Sequence, residues 1–167
     1  RRITEGASEI GKAMFVCSSR AIAYKFWQVL TTLRPEWFEV QERENTDSGS
    51  SSPIERVRMV MTRDKDDPSE LYSLLGDKDS RKELDRQFKD KSSNFRIAIV
   101  VDMWLTGFDV ETLDVIYIDK PIHNHSLIQT ISRVNRIFPG KTAGLVVDYV
   151  GIRKNLSEAL AKFSNPG

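Results

Sequence analysis

Five short apolar runs constrain the fold more than any other feature: Ala13-Met14-Phe15-Val16-Cys17, Val57-Arg58-Met59-Val60-Met61, Ile97-Ala98-Ile99-Val100-Val101, Val115-Ile116-Tyr117-Ile118 and Leu145-Val146-Val147-Asp148-Tyr149-Val150. They are rich in β-branched residues and nearly free of polar alternation, the pattern of strands covered on both faces, as in a parallel sheet. Between them, helical spacing runs over Ala21 to Leu33, Glu70 to Leu75, Arg81 to Phe88, Ser126 to Ile137 and Leu156 to Phe163. Strand alternating with helix predicts βαβ units with right-handed crossovers. The expected architecture is an open, mainly parallel α/β sheet with helices on both faces.

Composition narrows the class further. With 167 residues, 40% hydrophobic and 29% charged, the chain is expected to form one domain over residues 1–167 and is neither disordered nor collagen-like. Its formal net charge of +1 gives no long-range attraction to nucleic acid, so any DNA contact must be local. The single Cys17 has no intramolecular partner and fits a reducing, cytoplasmic setting. No apolar stretch approaches the roughly 18 residues of a membrane span. The chain opens on Arg1 without an initiator Met, so a piece of a longer polypeptide is expected. The Ser-rich segment Glu44 to Pro53 reads as a solvated loop.

Several fragments suggest chemistry that their context does not support. Gly6 to Lys12 has P-loop spacing, but Ala13 replaces the Mg²⁺-binding hydroxyl and a strand follows where a helix is needed. Gly140-Lys141-Thr142 has the right ending, yet Asn135 stands at the first glycine position. Asp64, Asp66 and Asp67 before Pro68 are read as turn and capping residues rather than metal ligands. His123 and His125 lack a third ligand nearby, and no metal site is expected.

The stretch from Phe95 to Ile152 is informative. A buried strand ends in Val101-Asp102 and leads through Met103-Trp104-Leu105-Thr106-Gly107-Phe108-Asp109 to a second strand and Asp119-Lys120-Pro121. A helix then carries Gln129-Thr130-Ile131-Ser132-Arg133-Val134-Asn135-Arg136. Parallel sheets collect ligands at the carboxyl ends of their strands, where Asp102 to Asp109 and Asp119-Lys120 would emerge. Arg133 and Arg136, three apart, share one helix face, and paired guanidiniums suit phosphate; an ordinary solvated basic face remains the alternative.

The order Asp102-x5-Gly107-x-Asp109, Asp119-x-Pro121 and Gln129-x-x-Ser132-Arg133-x-x-Arg136 resembles motifs V and VI of superfamily 2 helicases and translocases. The wording of Phe95 to Asp109, of Asp119-Lys120-Pro121, of Ser132 to Arg136 and of Gly144 to Gly151 is similar to the R subunit of type I restriction-modification enzymes; Lys12 to Leu30, with Cys17-Ser18-Ser19-Arg20, resembles that family's motif IV. The resemblance implies the second RecA-like motor domain of that subunit, working in ATP-dependent translocation of duplex DNA before cleavage. It implies that Arg133, Arg136 and Gln129 face the triphosphate, Arg136 as arginine finger, with Gly107 and Asp109 on the nucleotide side. Ser18, Ser19, Arg20, Asp102 and Thr106 would lie on the DNA side. ATP and Mg²⁺ would be held mainly by the first RecA-like domain. The implied partners are double-stranded DNA, that domain and a nuclease domain of the same chain, and the methyltransferase and specificity subunits. Three departures stand out: Val101 replaces a DNA-contacting Thr, Ser132 a Gly, and Glu111-Thr112 a Pro-Cys pair. The rival readings are another superfamily 2 motor and a non-catalytic RecA-like docking module.

Overall fold

A computed structural model describes residues 11–40, 53–105, 107–122, 124–135 and 143–151. Its strands are β1 (Lys12–Cys17), β2 (Val57–Val60), β3 (Ile97–Val100), β4 (Leu113–Asp119) and β5 (Leu145–Asp148). Its helices are α1 (Arg20–Leu33), α2 (Ser69–Leu75), α3 (Lys78–Lys89) and α4 (Asn124–Val134), with a short 3-10 turn at Pro35–Trp37. The five strands form one sheet in the order β2-β3-β1-β4-β5, and every pairing is parallel.

Each β1 residue alternates between the faces. Met14 and Val16 join a core with Leu84 and Phe88 of α3 and Leu127 and Val134 of α4. Phe15 and Cys17 turn the other way, toward Ala23 of α1 and Leu71 and Leu75 of α2. Both faces are thus covered, which is why the strands read as unbroken apolar runs. The chain leaves β1 toward the β2 edge and leaves β4 toward β5. The crevice expected where connections diverge therefore lies at the paired last residues Cys17 and Asp119.

The expected elements are present with shifted ends. α3 starts three residues before Arg81 because the Asp77 carboxylate caps it, accepting from Ser80 N at 2.8 Å. The helix expected over Ser126 to Ile137 begins at Asn124, and its described part ends at Val134. The run expected to continue to Val150 is strand only to Asp148, whose Oδ1 accepts from Val150 N and Gly151 N in a turn. The helix expected over Leu156 to Phe163, Gly140-Lys141-Thr142 and the 44–53 loop, apart from Pro53, lie outside the described residues. No described helix is long and apolar enough to cross a membrane.

Candidate nucleotide and DNA-facing site

Among its described residues, the connection from β3 to β4 has no helix. Residues 101–105 and 107–112 instead drive Trp104, Leu105, Phe108 and Val110 into the core beneath α3 and α4. Trp104 stacks on Phe108 at 4.1 Å and on Phe88 of α3 at 5.2 Å. Trp104 holds a left-handed backbone at φ 67°, a conformation that its packing must enforce. Gly107 follows at φ 73°, and a Cβ there would meet nothing within 4 Å, so its glycine answers to backbone conformation alone.

Helix α4 holds this loop from one side. Thr130 Oγ1 donates to Ser126 O at 2.7 Å and approaches Leu105 O at 3.4 Å, while an Arg133 Nη donates to the Phe108 carbonyl. Gln129, Ser132 and Arg133 are spaced i, i+3, i+4 and so share a face. With Gly107 and Asp109 they line an open pocket of about 330 Å³. Five positions grouped by the resemblance to motifs V and VI, in two segments twenty residues apart from Asp109 to Gln129, thus meet at one concavity. Arg136, Thr106 and His123 lie outside the described residues, and His125 falls in the first turn of α4.

The carboxyl ends of the strands form a second surface. Ser18 and Ser19 are exposed after β1, and Ser19 Oγ caps α1 by accepting from Ile22 N at 3.2 Å. Asp102, with its side chain 79% exposed after β3, pairs with Lys120 after β4; Lys120 also reaches Val101 O at 3.4 Å. This bridge spans the end of β1, which lies between those strands. Arg20 is tied inward: Nε donates to Asp67 Oδ1 at 3.1 Å, Nη2 to Asp67 Oδ2 and Nη1 to Thr62 O at 2.8 Å. Hydrogen bonding from Arg20 holds the Asp67 carboxyl below its usual range. Asp67 also accepts from Asp64 N, and Asp64 from Asp66 N, so these aspartates build a turn. Among the described residues no three His, Cys, Asp or Glu converge on a metal position.

Lys12 gave no sign of its role in the sequence beyond a false P-loop match. It opens β1, is 0% exposed, and donates to Gln87 O at 3.0 Å and Asp90 O at 2.7 Å. It therefore caps the carboxyl end of α3, where the helix leaves unpaired carbonyls and partial negative charge. Its ammonium also lies 5.0 Å from the centre of the Phe88 ring. Burial, with Arg96 adding like-charge repulsion, lowers its pKa to about 7. Cys17 at the other end of β1 is pushed up to about 11 by burial and by Asp119, which makes it an inert core thiol.

A family model described as type I restriction enzyme subunit R domain 3 matches residues 9–151. The chain belongs to that family. The HindI endonuclease subunit of a type I restriction enzyme from Haemophilus influenzae is 38% identical over 157 residues, 92% of this chain. The chain spans only 14% of that protein's length. A type I restriction enzyme endonuclease subunit from Staphylococcus aureus strain COL is 44% identical over 75 residues, 44% of this chain and 8% of that one. Among solved structures, the C-terminal domain of the DEAD-box protein Dbp5 superposes with a TM-score of 0.53 at 13% identity, covering 93% of this chain and 69% of that one. That likeness establishes the RecA-like fold of this subunit R domain. The Thr112 departure now has a physical reading: its hydroxyl is buried with no hydrogen-bond partner among the described residues, at a place where the resemblance expects a Cys that would need none.

Proposed function

We propose that this chain is the second RecA-like motor domain of a type I restriction enzyme R subunit, forming one wall of an ATP site and part of a DNA track. The observation that carries the reading is the convergence of Gly107, Asp109, Gln129, Ser132 and Arg133 on one open pocket. Its chemistry suits a nucleotide presented from outside. Arg133 and Gln129 offer donors to phosphate oxygens, and Asp109 is an acceptor suited to a ribose hydroxyl. The resemblance to superfamily 2 motors assigns Mg²⁺ and most of the ATP contacts to the first motor domain, and this pocket adds Asp109 as its one carboxylate. Arg136, one turn beyond Arg133 in sequence, is assigned the arginine-finger role, an effect worth about 10³ to 10⁵ in rate in related hydrolases.

DNA is assigned to the carboxyl ends of β1, β3 and β4, with Ser18, Ser19 and Asp102 as the described residues nearest the backbone. Duplex DNA, the nuclease domain and the methyltransferase and specificity subunits are its proposed partners, with sequence recognition left to the specificity subunit. The purified 167-residue chain, holding only one wall of the site, is expected to show no DNA-stimulated ATP hydrolysis; substantial turnover by it alone would sink the reading.

A further inference from the structure

Arg20 opens α1 directly behind Ser18 and Ser19, where an arginine invites assignment to DNA phosphate. Its guanidinium is instead engaged by a carboxylate whose side chain is 6% exposed. Three of its nitrogens are used, two on Asp67 and one on the Thr62 carbonyl. This contact joins elements that the sheet keeps apart. β2, which leads into the 62–68 turn, is separated from β1 by β3, so the fork reaches across the end of β3. A phosphate that drew Arg20 away would leave the Asp67 carboxylate, largely covered by its surroundings, with the Asp64 N–H but no paired cation, and a covered carboxylate that loses its counter-charge costs more than an exposed ion pair returns.

We infer that Asp67 is a positioning residue for the DNA-facing end of β1: it holds Arg20 out of the nucleic-acid contact and, through it, fixes Ser18 and Ser19 against the β2–α2 turn. The inference rests on the proposed DNA track. The backbone contact here is then made by neutral donors, the exposed Ser18 and Ser19 hydroxyls. A hydroxyl on a phosphate neutralises no charge, so this contact adds almost nothing to the salt dependence of binding, whereas an arginine would add a slope of about −0.9.

The test is fluorescence anisotropy of a labelled duplex with the 167-residue chain across salt concentrations, with folding of each variant checked by circular dichroism. Asp67→Asn and Arg20→Gln are each expected to weaken binding by about fivefold, with unchanged salt slope and a double variant no weaker than either single one. A salt slope shallower by about 0.9 in Arg20→Gln would overturn the inference, because Arg20 would then already be reaching phosphate in the wild type. Arg20→Lys keeps the charge but not the planar fork, and is expected to weaken binding as Arg20→Gln does. Wild-type affinity in Arg20→Lys would count against the inference, and this variant decides the matter if Asp67→Asn does not fold. Ser18→Ala separates the two layers. If it leaves binding untouched, the DNA track itself is wrong and the inference falls with it. If it weakens binding while Asp67→Asn does not, only the role of Asp67 fails.

Discussion

The indole of Trp104 lies parallel to the Phe108 ring, 4.1 Å away at 3°, and the carbonyl of that same Phe108 receives Arg133 from α4. One aromatic pair thus anchors the β3–β4 connection to the core on one side and to the candidate pocket on the other. Trp104→Ala is expected to destabilise the chain by about 3 kcal/mol, and Trp104→Phe by less than about 1.5 kcal/mol because an aromatic stack survives. Urea denaturation measures both. Equal losses would mean that the stack is not what holds the loop.

Two glycines fail for different reasons when substituted. At Gly107 an added Cβ finds open space and only the left-handed backbone objects, so Gly107→Ala is expected to cost about 1–2 kcal/mol. At Gly144 the Cβ would stand 2.1 Å from the Val134 carbonyl oxygen, backbone that cannot step aside without moving α4 from β5. Gly144→Ala should therefore lower the thermal midpoint clearly more than Gly107→Ala. The reverse order would show that β5 does not pack on α4 as described.

Lys12 makes stability depend on pH in a definite sense. Its pKa falls from 10.5 to about 7 on folding, so below about 7 both states carry the proton and the whole cost of burying it is felt. Between about 7 and 10.5 the unfolded chain retains a proton that the folded chain has released, so unfolding becomes harder as pH rises. Against Lys12→Met, which has no proton to lose, the wild type should gain stability between about pH 6 and about pH 9. A difference that is flat with pH would show that the lysine keeps its ordinary affinity for protons.

The strands were legible because a parallel sheet buried on both faces leaves no room for polar alternation, and all five runs became neighbours in one sheet. The grouping of the pocket residues came from the resemblance to motifs V and VI, and Gly107 and Asp109 do line one pocket with the Gln129–Arg133 face of α4. What stayed hidden depends on contacts distant in sequence. Nothing near Lys12 announces carbonyl partners at Gln87 and Asp90, and nothing near Arg20 announces a carboxylate 47 positions later. A local signal was available for α3, since Asp77 with Ser80 three residues on is ordinary N-cap chemistry. The 3-10 turn at Pro35–Trp37 had a weaker one, a Pro at the first helical position.

The most direct test of the account is the ATPase of the full-length R subunit carrying Arg136→Lys, with ATP affinity measured separately at equilibrium. Lysine keeps a positive charge but loses the planar fork that matches a transferring phosphoryl group. If this domain closes on a triphosphate held by its partner, kcat for DNA-stimulated hydrolysis should fall by about 10³ or more while the Kd for ATP stays within about twofold. Wild-type kcat, or weaker ATP binding with no loss of turnover, would contradict the claim that this domain supplies the catalytic wall of the site.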